Sequence, residues 1–434
     1  MKDQSHPDVN QLAAAVDAAM PLAERLFSDL RANTAAEEGV SRESYGPGEQ
    51  YAHDLLTEAA RALQLEIAVD FAGNLHMTLP GRDRSTPGWI TGSHLDSVPQ
   101  GGNFDGAAGV VAGITALAAF RQSGYVPPSD VSVVGIRAEE ASSWYRGDHG
   151  GHLGSRAVLG QLAPGELDAA INLRTNRTMA DHMREAGFDP AAGCDESRLL
   201  RKQKYKSYLE LHIEQGPVLE NRGLPVGIVT GIRGSARARN ARCIGVYTHS
   251  GAVPHEYRSD AVLATAELCH RIDRRWEDVR RGGGDLVFTV GQLFTDPQAH
   301  SITKVPGETR FTLEFRSQDM ATLEDMVSCA GELAREIGER RRVKFELGNF
   351  NMSAPAIMDA AIQRRLAAGA DALKIPNMHI PSGAGHDAQD FAVAGFPCGM
   401  IFVRNAHGSH NPREAMAMED FALGTRLLAW ALAG

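Results

Sequence analysis

The apolar positions of this chain change period several times along its length. From Val9 to Leu30 they recur at helical spacing, at Leu12, Val16, Met20, Leu26 and Leu30, and a second helix is expected from Glu49 to Leu63. The stretch LEIAVDFAGNLHMTLPG that follows reads as strand, turn and strand, with a hairpin at Ala72-Gly73-Asn74. An apolar run ending in Trp89-Ile90 reads as a buried strand. The glycine turn Gly101-Gly102 comes next, and Asp105-Gly106 opens a small-residue apolar helix, AAGVVAGITALAAF. DVSVVGIRAEEAS, from Asp130, is a second buried strand that ends on two adjacent glutamates. Strand, helix, strand with polar groups at the strand ends is the habit of open α/β sheets. Residues 145–205 are Gly- and Ala-rich connections with helical pieces, after which YLELHIEQGPVLE reads as a strand running into a turn.

Around Ser235 the texture changes. ARARNARCIGVYTHS reads as a strand, DAVLATAELCHRIDRRWEDV as an amphipathic helix and DLVFTVGQLFTD as a strand. TRFTLEFRS is a further alternating strand, MATLEDMVSCAGELAREIGERR a helix and RVKFELGNF a last strand. The order β-α-β-β-α-β is the ferredoxin-like split pattern, long enough to form its own α+β domain. After Ser353 the pattern returns to mixed α/β: a helix to about Ala370, the segment PSGAGHDAQDFAVAGFP, a strand CGMIFVRN, the loop AHGSHNP and a closing helix. The expected fold class is therefore α/β: a domain from residues 1–234 and 354–434, with a mixed sheet flanked by helices, interrupted by an inserted α+β domain at 235–353.

Composition narrows the function. A chain of 434 residues is long for one core, which supports two domains. The net charge of −10 argues against nucleic acid or an anionic membrane surface as partner. The longest apolar run, Gly106 to Phe120, is Ala- and Gly-rich and reads as a buried helix, not a membrane span. The five cysteines (Cys194, Cys243, Cys269, Cys329, Cys398) form no Cys-x-x-Cys, and MKDQSHPDVN lacks the order of a signal peptide. Reduced thiols and a cytoplasmic location are expected.

Five sites present metal-ligand side chains at strand ends or in the loops after them: His94, Asp105, Glu139-Glu140, His212 and His410. Imidazole and carboxylate without thiolate suit Zn²⁺, Mn²⁺ or Co²⁺. Five ligands exceed the need of one catalytic zinc and suit two ions about 3.5–4 Å apart sharing a carboxylate, with Asp105 the best bridge. Asp96, two residues beyond His94, is placed to hold that imidazole's other nitrogen. On extended chain Glu139 and Glu140 point in opposite directions, so Glu140 is read as ligand and Glu139 as general base. Each piece also has a plainer reading: a solvated acidic turn for the glutamates, an interior imidazole for His212, a turn hydrogen bond for His410.

The segments GSHLDSVPQGGNFDGAAGV, RAEEA, LHIEQGPVLE, YTHSGAVPHEYRSDA, KVPGETRFTLEFRS, SGAGHD and GSHNP occur in this order. Together they resemble the M20 metallopeptidase family, and more closely its amidase/hydantoinase/carbamoylase branch of N-carbamoyl-L-amino-acid hydrolases, β-ureidopropionase and allantoate and ureidoglycolate amidohydrolases. The resemblance covers nearly the whole chain. It implies that His94, Asp105, Glu140, His212 and His410 hold two divalent ions per subunit, with Asp105 bridging, and that Glu139 is the catalytic base. It implies that His249 of the inserted domain reaches the partner subunit's site and stabilises an oxyanion. It further implies that Arg316 binds the substrate carboxylate and that Gln215 and His386 line the pocket. The inserted domain would then be both lid and homodimer interface.

An arginine fork is a natural bidentate partner for a carboxylate, although Arg316 also reads as a strand residue in an ion pair, and His255 and Arg258 compete with His249. The chain departs from the resembled pattern at two places. Thr303 stands where an asparagine is usual, and Ala-Ser-Ser-Trp follows the double glutamate in place of Gly-Ser-Arg-Phe. The expected activity is metal-dependent hydrolysis of a linear C–N bond in a carboxylate-bearing ureido compound, first an N-carbamoyl-L-amino acid giving amino acid, CO₂ and ammonia. Allantoate or ureidoglycolate chemistry, or an M20 aminoacylase or dipeptidase, is the alternative. A metal-free binding protein on the same fold is the reading from a different class.

Overall fold

The computed structural model of the protein describes residues 8–147, 151–194, 197 and 199–434. The chain divides into two compact units: one ends at Thr230 and resumes at Met358, and the other runs from Gly231 to Ile357. The first unit begins with α1 (Val9–Asn33), α2 (Pro47–Ala62), β1 (Glu66–Val69), β2 (Leu75–Leu79) and β3 (Gly88–His94). It continues through α3 (Ala107–Ser123), β4 (Val131–Ile136), α4 (Ala141–Trp144), α5 (Leu153–Val158), β5 (Tyr205–Ile213) and β6 (Val226–Ile232). The second unit holds β7 (Gly234–Ile244), β8 (Thr248–His249), α6 (Ala261–Arg281), β9 (Val287–Thr289), β10 (Lys304–Val305), β11 (Glu308–Ser317), α7 (Met320–Arg341) and β12 (Lys344–Glu346). The first unit closes with α8 (Ala360–Ala372), β13 (Asn377–Ser382), α9 (Asp387–Val393), β14 (Cys398–Val403) and α10 (Met418–Leu432).

The first unit is built on a large mixed sheet in the order β1-β2-β4-β3-β5-β14-β6, with β13 beside β6. Its centre, β4-β3-β5-β14, is parallel, and β2 and β6 join it antiparallel. Every residue of β3, β4 and β14 is buried, which requires cover on both faces and explains why these strands read as continuous apolar runs. Part of that cover is α3, buried from Ala107 to Phe120 between the sheet and the helices α1 and α10. A helix enclosed on all sides has no polar face to show, hence its Ala- and Val-rich sequence. Its glycines permit the approach: a Cβ on Gly109 would stand 2.3 Å from the Leu211 carbonyl oxygen and 2.7 Å from Ser93 Cβ. The parallel centre brings the carboxyl ends of β3, β4, β5 and β14 to one edge, where ligands bind in open α/β sheets.

The second unit has a sheet in the order β9-β11-β7-β12, antiparallel throughout. Chain order β7-α6-β9-β11-α7-β12 with that strand order is the ferredoxin-like arrangement. Its core joins one sheet face (Ala236, Ala238, Ala241, Cys243, Phe311, Leu313, Phe315) to α6 (Leu268, Ile272) and α7 (Leu323, Met326, Ile337). The inward positions of β7 change parity between Ala238 and Ala241, where a bulge sets three residues of β7 against two of β11.

Several elements differ from the sequence expectation. DLVFTVGQLFTD is two short strands, Val287–Thr289 and Leu293–Phe294. Both pair with β11, but four residues advance on one side against three on the other, so the ladder breaks. RVKFELGNF is strand only at Lys344–Glu346; a loop containing Gly348 at φ +71° follows, and Asn351–Ser353, just beyond that segment, pairs with a different stretch of β7. Strand β13 has no apolar alternation to announce it and exists through its pairing with β6. Cys243, Cys269, Cys329 and Cys398 are free thiols; the side chain of Cys194 lies outside the described ones. No helix among the described residues is long and apolar enough to cross a membrane.

Because α3 touches backbone at Gly109, Gly109→Val forces the helix off the sheet. We expect a loss of about 1–3 kcal/mol, read as a lowered midpoint in urea unfolding followed by far-UV circular dichroism. An unchanged midpoint would contradict this packing.

Candidate metal centre and active site

The sheet edge gathers side chains from four strand ends. His94 ends β3, His212 is the penultimate residue of β5, Glu139-Glu140 follow β4, and His410 follows β14. Asp105 arrives from the glycine loop after β3. Gly106 behind it adopts φ +64°, and a Cβ there would stand 2.4 Å from the His94 ring, so only glycine lets the loop fold over that imidazole. His94, Asp105 and His212 are almost sealed from water, at 2%, 3% and 1% exposure.

Asp105 stands at the middle. Its Oδ1 lies 3.2 Å from His212 Nε2 and 3.8 Å from His94 Nε2, and its Oδ2 lies 3.4 Å from His410 Nε2. His410 Nε2 is also 2.9 Å from Glu140 Oε1. The result is two trios, His94–Asp105–His212 and Asp105–Glu140–His410, each with ligand atoms within 4.8 Å of one another and with Asp105 in common. Glu210, His212 and His386 form a third such group.

The tautomers suit ligation. His94 Nδ1 faces the Asp96 carbonyl oxygen at 3.1 Å and Asp96 Oδ1 at 3.3 Å, so Nδ1 donates and Nε2 is left for the cluster. His212 Nδ1 donates to the Ile213 carbonyl at 2.8 Å, which turns Nε2 to the cluster, where the Gly106 N–H also meets it at 3.2 Å. Asp96 also accepts from the backbone N–H groups of Glu139 (3.1 Å) and Glu140 (3.0 Å) and from the Ser44 hydroxyl (2.6 Å). One buried carboxylate thus fixes an imidazole and the glutamate turn together. Imidazoles and carboxylates, all buried except the half-exposed His410, turn their nitrogens and oxygens toward one another and fit a pair of divalent cations.

The structure corrects one step of the sequence reading. Glu139 and Glu140 do not sit on extended chain: Ala138 has φ +57°, and Glu140, at φ −81° and ψ 17°, caps α4. That turn separates the two carboxylates. Glu140 goes to His410, while Glu139 places Oε2 3.9 Å from His94 Nε2 and Oε1 3.1 Å from His152 Nε2.

Protonation follows from this crowding. Burial would raise Asp105, but hydrogen bonds from His212 and His410 hold it well below the usual carboxylate range. Burial also works against ionised Glu139, yet the imidazoles of His152 and His94 bring it down to about 2. Glu140 is pushed up to about 7, chiefly by burial, with the charges of Glu139 and Asp105 adding to it. His410 rises to about 11 through its hydrogen bonds to Asp105 and Glu140.

The remaining sequence candidates fall in different places. Gln215, at φ +61°, donates its side-chain amide to both Asp105 oxygens, at 3.1 and 2.9 Å. His386 is buried, its ring 4.4 Å from that of His212, with Nε2 2.9 Å from the Ser382 hydroxyl. His249 and Arg316 belong to the second unit. His249 is exposed, and its Nδ1 accepts from the N–H groups of Gly251 and Ala252, both at 3.1 Å, so Nε2 carries the proton. Arg316 pairs with Glu314 at 3.0 Å, which is the plainer reading of that residue. Arg258 bonds the Val253 and Ser250 carbonyls, and Thr303 Oγ1 meets Ser301 Oγ at 2.9 Å.

Sequence reasoning missed several groups of the site. His152 and Asp390 stand behind Glu139. Glu414 accepts from the N–H groups of Phe104 and Asp105, and Ser409 donates to Asp105 at 2.7 Å. Asp387, fully buried and without a hydrogen-bond partner, is raised well above its usual range by burial and by Glu210. For Ser409 and Asp387 the signal was membership of the SHNP and GHD segments, and for Glu414 adjacency to the first of these. His152 carried none.

A two-unit α/β protein with a shared buried carboxylate between imidazole-bearing strand ends has the design of a metallohydrolase, and the sequence profile described as Peptidase family M20/M25/M40 matches residues 90–433. The chain belongs to that family. It is 35% identical over 399 residues to an N-carbamoyl-L-amino acid amidohydrolase of Geobacillus stearothermophilus, covering 91% of this chain and 94% of that one. It is 32% identical over 373 residues to a ureidoglycolate hydrolase of Arabidopsis thaliana, covering 85% and 76%. A solved amidase of the hydantoinase/carbamoylase family from Burkholderia multivorans superposes with a TM-score of 0.84 at 26% identity, over 95% of this chain and 97% of that one. The protein is an enzyme of the carbamoylase/amidohydrolase branch.

Because Glu140 and His410 hold protons that ligation must displace, metal binding should release protons. At pH 7 we expect at least about one proton per chain on loading with Mn²⁺ or Zn²⁺, and an apparent affinity that climbs from about pH 6 to 8. Calorimetry in buffers of different ionisation enthalpy measures both quantities; proton uptake or a pH-independent affinity would contradict the assignment.

Proposed function

We propose that the enzyme hydrolyses a linear C–N bond of a carboxylate-bearing ureido compound, with an N-carbamoyl-L-amino acid as the first candidate. The observation that supports this most is the pair of imidazole–carboxylate trios sharing Asp105, with Glu139 Oε2 turned toward them. The name of the Geobacillus relative supports the carbamoyl reading, and that of the Arabidopsis relative supports a ureidoglycolate-type substrate as the second reading.

In this reading His94, Asp105, Glu140, His212 and His410 hold two divalent ions of the Zn²⁺, Mn²⁺ or Co²⁺ type. When bound, such ions supply Lewis acidity and lower the pKa of water. Glu139 accepts the proton of the attacking water at Oε2 as the water oxygen bonds the carbamoyl carbon. His249 uses its Nε2–H as a hydrogen-bond donor to the oxyanion that develops. Glu139 then returns the proton to the leaving amine nitrogen as the C–N bond breaks. The amino acid leaves, and the carbamic acid that remains decomposes to CO₂ and ammonia. Arg316 takes the substrate carboxylate, for which it must exchange its partner Glu314. Gln215 and His386 face the ureido group. We assign residues 235–353 as lid and homodimer interface, with His249 serving the partner's site.

Ammonia release from a panel of carbamoyl-amino acids and ureides, with Mn²⁺ or Zn²⁺ added, tests the substrate class. Acetyl- or peptidyl-amino acids cleaved without ammonia would point to an aminoacylase or dipeptidase instead. Well under one metal per chain after reconstitution would favour a metal-free binding protein. Glu139→Gln should keep its metal and lose about 10²–10⁴ in kcat; a variant turning over at the parental rate would remove Glu139 from the base role.

A further inference from the structure

Glu139 does not stand alone behind the metal ligands. Its Oε1 lies 3.1 Å from His152 Nε2, and on the far side of the same ring Nδ1 lies 2.6 Å from Asp390 Oδ2. The ring is largely enclosed, with its side chain 18% exposed, and its carboxylate neighbours are 9% and 13% exposed. Ionised carboxylates only accept hydrogen bonds. An imidazole between two of them is satisfied at both nitrogens only when both donate, that is, as the imidazolium. Burial opposes that charge, but Glu139 and Asp390 outweigh it and hold the ring well above its ordinary pKa.

The backbone sets this arrangement. His152 adopts φ +59° and donates its N–H to the Glu139 carbonyl at 2.8 Å, which holds its backbone beside that glutamate. Gln161 donates to the Asp390 carbonyl at 2.9 Å and anchors the helix that carries the outer carboxylate. A Cβ on Gly385 would stand 3.0 Å from His152 Cε1 and Nε2, so the ring fills the space left there.

We propose that His152, clamped by Asp390, is a positioning residue that ties Glu139 through Oε1 and leaves Oε2 as the one oxygen presented to the reacting water. The proposal rests on Glu139 as the general base. A carboxylate bound at neither oxygen rotates about its last side-chain bond and divides its time among orientations; bound at Oε1, it keeps Oε2 on the cluster side, 3.9 Å from His94 Nε2. Asp390 touches neither Glu139 nor the cluster in this arrangement and acts through the ring.

The test compares metal-loaded His152→Ala, His152→Gln, Asp390→Ala and the double alanine variant. His152→Ala should lose about 10- to 100-fold in kcat, the scale on which mispositioning acts, with KM within about threefold and metal content at the parental level. His152→Gln, whose amide N–H can still donate to Oε1, should recover at least about fivefold of that loss. Asp390→Ala should cost less, and nothing further on the His152→Ala background, as expected of groups that act as one. Parental kcat in His152→Ala would overturn the proposal. So would a loss confined to KM, which would make His152 a substrate-binding group, or full additivity with Asp390. A readout independent of substrate is the low-field imidazole N–H resonance in the proton spectrum. It should be present in the parent, absent in His152→Gln, and displaced in Glu139→Gln and Asp390→Ala. A parent enzyme that cleaves no ureide but shows this resonance refutes the assigned reaction and not the clamp; a parent that cleaves ureides without the resonance refutes the clamp.

Discussion

The carboxylate of Asp105 is 3% exposed and is met by imidazoles carried on three separate strand ends or loops. A lone buried charge of this kind would cost several kcal/mol. Here it is accommodated because His212, His410, Ser409 and Gln215 all turn polar atoms toward it and the loop backbone is held by Glu414. The rest of the first unit follows from the need to keep that arrangement in place. The parallel centre of the sheet brings its carboxyl ends to one edge, α3 locks the sheet from one face, and glycine at position 106 lets the loop lie against His94.

Around this centre the site is layered by charge. Glu139, Glu140, Asp96, Glu210 and Asp387 lie within a few residues of the cluster, and all are buried. They are kept compatible by unlike means. Asp96 is hydrogen-bonded by backbone N–H groups, Glu139 by His152, and Glu210 by the Ser93 hydroxyl and the Ala388 N–H. Asp387 lacks a hydrogen-bond partner and is pushed toward its neutral form by burial. Groups with the same intrinsic acidity are thus held in unlike states by their surroundings, the usual way an active site sets its carboxyl groups apart.

The second unit contributes by a different logic. One face of its sheet packs on α6 and α7, which leaves the other to charged residues. Arg237 and Arg316 share Glu314 there, and the two guanidiniums hold that carboxylate below its usual range against the effect of burial. Partly exposed ion pairs of this type are individually weak. The Nδ1 of His249 is occupied by the backbone N–H groups of Gly251 and Ala252, which leaves the ring proton on Nε2.

The fold class and the identity of the cluster residues were legible in the sequence, because strand periodicity and helix composition report burial directly. Continuous apolar strands meant a covered sheet, the glycine loop before Asp105 meant that this carboxylate and His94 can converge, and the motifs taken together, by their resemblance to a known family, joined the separate candidates into one set. What the sequence could not carry is whatever depends on separation in space. β13 is a strand only because β6 lies beside it. The broken ladder of β9 reflects a one-residue mismatch with β11 that no local pattern records. Glu139 and Glu140 diverge through a left-handed turn at Ala138, not through strand alternation. His152 and Asp390 stand 238 positions apart and bear no motif; their contact exists because the loop after β4 and the helix after β13 are brought to the same flank of Glu139. Periodicity encodes which face of an element is buried; which buried groups then touch is decided by how distant elements pack.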